Sequence, residues 1–482
     1  MTADFTRRNL LGTAAKGGGA LALAAAAAPA AAQAPARRPN VVFILADDMG
    51  YADISCYGRR DLVTPHIDRI ASQGTRFTQA CANSPVCTAS RVAIITGRYQ
   101  LRLPVGLEEP ISGATQPGIG LPPDHPTLPS LLRKAGYGTT LIGKWHLGAL
   151  PTFSPLKSGY DHFYGFRAGA LDYYLHTNAG GAPDFWDEDK PLAQEGYTTD
   201  LFGDRAVKAI GDYARSGQSF FLSLHFNAPH WPWEGPGDRA EAERLRGHGL
   251  RDWDGGSQET YRRMIAALDV QVGRVLRALE DGGIAGDTIV IFTSDNGGER
   301  FSDTWPFNGR KTELLEGGLR IPAIISWPGH VAAGRISEQV TANMDWLPTL
   351  LASAGVMPDP SYPPDGMNLL PHLAEGAAVV ERKLFWRYKS NWQRAARIGD
   401  WKYLKILDNT FLFNVVDDPL ERANLKERHK DIYGRLISEW NAWNATMLPE
   451  TATSFTETFT GAEMADRIGR KPVTLDPDPE LR

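Results

Sequence analysis

Along the first three quarters of the chain, continuous apolar runs alternate with amphipathic stretches. Asn40-Val41-Val42-Phe43-Ile44-Leu45-Ala46 is apolar at consecutive positions after its first residue. A strand with one wet face alternates apolar and polar side chains, so an unbroken run predicts a strand covered on both faces in a parallel sheet. Residues 139–142, 220–225, 288–293 and 323–325 repeat the pattern. Helical spacing lies between them. Leu128, Leu131, Leu132 and Ala135 share one face, and Gly136 supplies the stop. From about 258 to 280, Tyr261, Met264, Leu268, Val272, Val275 and Leu279 recur at three- and four-residue steps. Strands alternating with helices predict an α/β fold: a large, mostly parallel sheet flanked by helices.

The texture changes further on. Residues 358–365 are rich in proline and acid and read as a linker. Short strand-like pieces follow at 383–387, 394–398, 401–405 and 411–415, then a helix from about 431 to 447. These predict a smaller C-terminal domain of antiparallel sheet plus one helix. The expected units are 38–362 and 366–482, the latter ending in a polar tail from Thr451. No internal repeat is visible.

Composition narrows the class. With 482 residues, 42% of them hydrophobic, the chain can bury a large core. A net charge of −5 without a basic tract argues against a nucleic-acid partner. Three cysteines are too few for a disulfide framework; Cys56 and Cys81 read as buried thiols, a pair between them being the alternative. Thr6-Arg7-Arg8-Asn9-Leu10-Leu11 opens an Ala/Gly-rich stretch that ends near Ala34. That is the pattern of a twin-arginine signal peptide over 1–34 with an A-x-A-like cleavage site. Low hydrophobicity and the Lys16-Gly17-Gly18-Gly19 interruption disfavour a membrane anchor. Export by the twin-arginine machinery, to the periplasm or outside the cell and without stable membrane insertion, is the expectation.

Chemistry gathers where the predicted strands end. Asp47 and Asp48 follow the first apolar run. The carboxyl end of a parallel strand faces the crevice where α/β proteins bind ligands. Adjacent acids repel unless a cation compensates, and hard divalent cations take oxygen ligands. Aspartate also caps helices well, so both readings stand for the pair alone. Asp295-Asn296-Gly297-Gly298 closes the 288–293 run and offers more oxygen ligands, though Asn-Gly is also a strong turn signal. The two clusters converge only if their strands are neighbours. Lys144 and His146 follow the 139–142 strand, His230 follows 220–225, and Lys311 lies beyond the Asp295 turn. Lysine, neutral histidine and a divalent cation are suitable means of holding and polarising an anionic ester. Each residue alone reads as a surface charge or a satisfied histidine; all of them at strand ends point to one site.

Cys87-Thr88-Ala89-Ser90-Arg91 adds the decisive motif. It resembles the maturation signature of type I, formylglycine-dependent sulfatases of the alkaline phosphatase superfamily. The family's other segments follow in its order: Ala46-Asp47-Asp48-Met49-Gly50-Tyr51, Thr64-Pro65-His66-Ile67-Asp68, Thr96-Gly97-Arg98, Gly143-Lys144-Trp145-His146-Leu147-Gly148, Ala228-Pro229-His230, Ser294-Asp295-Asn296-Gly297-Gly298 and Glu316-Gly317-Gly318-Leu319-Arg320-Ile321-Pro322. Gly399-Asp400-Trp401-Lys402-Tyr403 and Asp417-Asp418-Pro419-Leu420-Glu421 resemble its C-terminal landmarks. The resemblance covers about Asn40 to Leu425. One departure is Ala89, where many relatives carry proline.

The resemblance implies an alkaline phosphatase-like fold and a sulfuric ester hydrolase. It implies one calcium ion per chain, held by Asp47, Asp48, Asp295, Asn296 and the modified Cys87. It implies formylglycine, made from Cys87 by a formylglycine-generating or equivalent maturation enzyme before export. One hydroxyl of the aldehyde hydrate would attack sulfur, with Asp295 as base. Arg91, one turn along a helix beginning near Cys87, would reach the hydrate and the metal-site carboxylates. Lys144 and His146 would contact the hydrate, and His146 would later take the proton of its remaining hydroxyl. His230 and Lys311 would hold the sulfate and protonate the leaving oxygen. His225 competes with His230 for that role; the Ala-Pro-His match favours His230. Tyr173, Tyr174, Trp186, Trp231, Trp233 and Trp305 fall in predicted loops, and aromatic faces around a polar pocket suit sugar rings. They incline the substrate towards a sulfated carbohydrate over a simple aryl sulfate. The alternatives are a phosphonate or phosphate monoester hydrolase of the same superfamily, and an unmodified binding protein without metal.

Overall fold

The Asn40–Ala46 strand is buried at every residue because it has a parallel neighbour on each side, Phe220–His225 and Thr288–Ser294. Gly138–Lys144 and His162–Phe166 extend the parallel core beyond Phe220–His225. On the other side Ala323–Ser326 runs antiparallel to Thr288–Ser294 and leads to short edge strands at Thr75–Phe77 and Arg335–Ser337. A small hairpin of Trp186–Asp187 and Lys190–Pro191 closes the opposite edge of this ten-stranded sheet. The predicted mostly parallel sheet is therefore present, with antiparallel pairing confined to its margins.

Alternate residues of the central strand serve opposite layers, as strand geometry requires. Val42 and Ile44 join the cluster formed by Met264, Leu268, Val272 and Val275 of the Gln258–Asp281 helix. Val41, Phe43 and Leu45 join Leu128, Leu131 and Leu132 of the Leu128–Lys134 helix and Trp346 and Leu350 of the Trp346–Ser353 helix. The predicted helix at 258–280 is matched almost residue for residue. The Thr198–Ser216 helix was not singled out by apolar spacing. Phe202, Ala206 and Ile210 are its buried apolar side chains, a stripe too thin to stand out against six charged neighbours.

Beyond the sheet, Lys383–Tyr388, Gln393–Ile398, Trp401–Ile406 and Asn409–Asn414 form a consecutive antiparallel sheet. The Lys430–Asn444 helix packs on it through Leu436, Trp440 and Trp443. The same hydrophobic cluster contains Ala89 and Ala93, from the Cys87–Thr96 helix, and Leu314 and Leu319. Lys402 makes buried ion pairs with Glu316 and Glu421, both at 2.9 Å. Three of the segments that resemble family landmarks thus meet in a clamp between the two sheets.

These features come from a computed structural model that describes residues 38–459, apart from 113–117, 252, 254 and 375, together with 463–465. The expected signal peptide, 1–34, and the last seventeen residues, 466–482, lie outside the described residues. Cys56, Cys81 and Cys87 are all free thiols, so the alternative of a Cys56–Cys81 pair is not realised. Among the described residues no helix is long and apolar enough to cross a membrane.

Candidate active site

The condition for convergence of the two acidic clusters is met. Ala46 and Ser294 are register partners on adjacent parallel strands. Asp48 takes a positive φ of 61°, and its backbone N–H donates to Asp295 Oδ1 at 3.2 Å. The Asn296 side-chain amide donates to Asp48 Oδ1 at 2.7 Å. Neither aspartate caps a helix: the next helical turn, Ser55–Tyr57, has Ile54 at its N-cap. From behind, the Asn343 amide donates to the carbonyls of Ser294 and Asp295 at 3.2 and 3.1 Å.

Three buried carboxylates so close together need positive charge. Burial pushes Asp47 up to about 7, opposed by Lys144 and reinforced by Asp295. Lys144 Nζ donates to Asp47 Oδ2 at 2.5 Å. Arg91 Nε donates to Asp295 Oδ2 at 3.0 Å, its Nη2 lies 3.6 Å from Asp47 Oδ1, and its Nη1 donates to the Lys144 carbonyl at 3.2 Å. Arg91 has this reach because it sits one turn into the Cys87–Thr96 helix, which is buried along its whole length.

Cys87 begins that helix, and its Sγ lies 4.0 Å from Asp48 Oδ1. Burial raises the thiol well above its ordinary range, against the attraction of Lys144 and Lys311. The residues present fit a hard divalent cation. Asp47 Oδ1 and Asn296 Oδ1 are buried with no hydrogen-bond partner, and such a cation takes oxygen donors. Ligating atoms of Asp47, Asp48, Cys87 and His230 lie within 4.8 Å of one another.

The histidines separate by their surroundings. His230 Nδ1 faces the Trp231 carbonyl at 2.7 Å and so carries the proton; Nε2 is left to accept from Lys311 Nζ at 3.3 Å. Burial, with Lys311 and Lys144, holds this ring neutral. His146 has the opposite tautomer. Its Nε2 faces the Ile111 carbonyl at 3.1 Å, and its buried Nδ1 has no partner. Burial and Lys144 hold it neutral too. His225 Nδ1 lies 3.3 Å from the Lys144 carbonyl, and its ring edges onto Phe43 in a separate apolar cavity. Of the two, His230 opens on the cleft with Cys87 and Lys311, and His225 does not.

Lys311 Nζ donates to Asp48 Oδ2 at 2.8 Å. Its loop is held by the small sheet: the Gln393 amide accepts from Leu314 N at 2.8 Å and donates to the Thr312 carbonyl at 3.0 Å. Cys87, His146, His230 and Lys311 all open on one cleft of about 720 Å³. Of the six aromatic residues expected in loops, Trp231 lines it. Tyr173 also lies in a loop but is buried away from the cleft and donates to the carbonyls of Asn227 and His230 at 2.9 Å, a support for the His230 loop. Trp233, which is buried, and Trp305, 62% exposed, lie in loops without lining the cleft, whereas the loop expectation fails for Trp186, which lies in the Trp186–Asp187 strand.

Sequence reasoning missed Glu457, which lines the cleft with its Oε2 3.9 Å from Lys311 Nζ. It arrives on the C-terminal tail, held where Thr456 Oγ1 donates to Glu109 Oε2 at 3.0 Å and Tyr388 OH donates to the Glu457 carbonyl at 2.7 Å. No motif or periodicity marks that segment. Gln393 and Asn343 were missed likewise, since each acts on backbone far away in sequence.

A family model described as Sulfatase matches residues 39–356. N-acetylgalactosamine-6-sulfatase of Rattus norvegicus is 34% identical over 386 residues, covering 76% of this chain and 71% of the relative. Arylsulfatase A of Homo sapiens is 32% identical over 379 residues, covering 73% and 71%. Among solved structures, Ps i-CgsB in complex with k-i-k-neocarrahexaose superposes with a TM-score of 0.76 at 28% identity, covering 89% of this chain and 98% of that chain. With the whole parallel core and every strand-end cluster inside the matched span, the chain belongs to the sulfatase family and is a sulfuric ester hydrolase.

Proposed function

We propose that this sulfatase removes sulfate from a sulfated carbohydrate, with Cys87, converted to formylglycine, as nucleophile and with one calcium ion held by Asp47, Asp48, Asp295 and Asn296. The observation that carries the reading is the approach of Cys87 Sγ to within 4.0 Å of Asp48 at the meeting point of both acidic clusters. The oxygen-only set of Asp47, Asp48, Asp295 and Asn296 favours a hard cation over zinc. A relative named for N-acetylgalactosamine 6-sulfate and a neighbour solved with a neocarrahexaose support a sugar substrate, as does the open cleft.

When present, formylglycine supplies a hydroxyl nucleophile through its hydrate, and calcium polarises the sulfuryl oxygens. The chain's own residues do the rest. Arg91 and Lys144 pair with Asp47 and Asp295 and oppose the cost of burying their charge. Lys311 faces the sulfate and carries the proton for the leaving oxygen, because the His230 nitrogen beside it is an acceptor. His230 fixes the direction of that ammonium. His146, with an open Nδ1, is ready to accept a proton.

Maturation by a formylglycine-generating or equivalent enzyme, and twin-arginine export of the folded chain to the periplasm or beyond, belong to the same proposal. Peptide mass spectrometry of the Cys87 segment, with a screen of sulfated mono- and oligosaccharides, tests it. We expect an aldehyde at position 87 and a higher kcat/KM on a sulfated sugar than on a nitrophenyl sulfate. An intact thiol in fully active enzyme would remove the nucleophile assignment. Turnover of aryl sulfates with none of any sulfated sugar would remove the carbohydrate reading.

A further inference from the structure

We infer that Arg251 is a specificity-determining residue that binds a second anionic group of the substrate, a sulfate or a carboxylate beyond the ester being cleaved. The inference rests on the carbohydrate reading of the cleft. Deeper in the site each cation is buried and matched to a carboxylate: Arg91 to Asp295, Lys144 to Asp47 and Lys311 to Asp48. Arg251 differs. It lines the same cleft as Cys87 and Lys311, yet its side chain keeps 40% of its surface exposed. Its Nη2 donates to Glu457, its hydrogen-bond partner among the described residues. A guanidinium has five N–H donors in a rigid fork, so most of this one is left for a ligand.

Its surroundings hold the fork in place. The guanidinium carbon lies 5.6 Å from the Trp231 ring centroid and 5.7 Å from that of Phe459. Glu457 is only 3% exposed, and while one of its oxygens binds Arg251 the other lies 3.9 Å from Lys311 Nζ. A single carboxylate therefore spaces Arg251 from the lysine that faces the reacting sulfate. A substrate with two anionic groups, on one sugar or on a sugar and its neighbour, can engage both cations. Glu457 alone would repel an anion; between two cations its charge is matched, and it anchors Arg251. Planar, bidentate recognition of sulfate or carboxylate is what such an anchored arginine does well. Arg167, on another wall, is less available: Asp184 lies 3.4 Å from its Nε, and the Trp186 ring covers its guanidinium at 3.7 Å.

The test compares kcat/KM of the formylglycine-bearing full-length enzyme on three probes. They are N-acetylgalactosamine 6-sulfate, its 4,6-disulfate, and the 6-sulfated sugar linked to glucuronic acid. Arg251→Ala should lose about 10- to 100-fold more on a doubly anionic probe than on the monosulfate, mostly through KM, the scale of one hydrogen bond to a charged group. Arg251→Lys should recover part of that loss, having charge without the fork. A selective loss on the disulfate assigns a second sulfate; one on the disaccharide assigns a carboxylate. Because Arg251→Ala leaves Glu457 with one cation fewer, the double variant with Glu457→Gln must show the same selectivity. Equal losses on all three probes overturn the inference and leave the carbohydrate reading intact. Turnover of none of them by wild-type enzyme overturns it as well, and failure across the wider sugar screen removes the carbohydrate reading too.

Discussion

His230 and His146 are both buried and both neutral, but they keep the lone pair on different ring nitrogens, and the proposed division of their work rests on that difference. Lys311, the donor beside His230, should matter most when the leaving oxygen is a poor one. General acid catalysis is typically worth about 10²–10⁴-fold. Lys311→Ala should therefore lose roughly that factor on a sugar sulfate and much less on a nitrophenyl sulfate, whose phenolate leaves almost unaided. Steady-state kinetics on both substrates check this, and equal losses would contradict the assignment. Asp47 and Asn296, each with an unpartnered buried oxygen, make the second prediction. Elemental analysis should find about one calcium per wild-type chain, and Asp47→Ala or Asn296→Ala should lower that stoichiometry. Stoichiometric zinc would point to a different metal chemistry. The residue types were legible in the sequence here. The tautomers were not, because they depend on carbonyls of Trp231 and Ile111 brought alongside by the fold.

At the scale of elements, the apolar run at 40–46 was readable because every residue of it is buried, so local pattern and environment agree. The Thr198–Ser216 helix escaped because its buried stripe is thin. Gly143 shows what backbone geometry adds. It is the second-to-last residue of the Gly138–Lys144 strand that delivers Lys144, with φ +105°, and a Cβ there would meet the His225 carbonyl oxygen at 1.8 Å. Gly143→Ala should cost about 3 kcal/mol or more and lose activity with stability, since both the dihedral and the backbone contact are violated. Thermal or denaturant unfolding of the variant measures it; wild-type stability would show that the strand can shift freely.

The tail strap supplies a pH prediction at the same scale. Burial pushes Glu109 up to about 7, with Lys389 opposing. A carboxyl whose pKa is raised in the folded state binds its proton more tightly there, so its contribution is full below the ordinary carboxylate range, near pH 4.5, and is lost as pH rises through about 7. Measured against Glu109→Gln, wild type should lose stability between those limits. Unfolding midpoints that shift in parallel across that window would refute it.

For the whole molecule, one hydrophobic cluster joins the site helix to the small sheet, and Glu316, Lys402 and Glu421 clamp the two sheets together. From the same C-terminal part of the chain, Glu457 reaches the cleft and Gln393 holds the loop that carries Lys311. A chain ended at residue 362 should therefore neither fold to a stable protein nor turn over sulfate esters. Expression yield, circular dichroism and activity of the shortened chain test this; a folded, active fragment would show that the clamp is dispensable. Buried ion pairs left half-made are expensive, about 3–5 kcal/mol each, which is why loss of Lys402 alone would be severe.

The central strands, the Gln258–Asp281 helix, the acidic pairs, Cys87 and the basic residues at strand ends were set out along the chain. Burial period and strand-end position are local properties, and short motifs carry them. What the chain could not display was adjacency. Only the sheet made Ala46 and Ser294 neighbours and so decided that Asp48 and Asp295 belong to one site instead of a helix cap and a turn. Only the packing of the tail brought Glu457 to Lys311 and, through it, Arg251 to the cleft. Contacts between residues far apart in sequence leave no periodicity behind them, because each partner's own neighbourhood is satisfied without reference to the other.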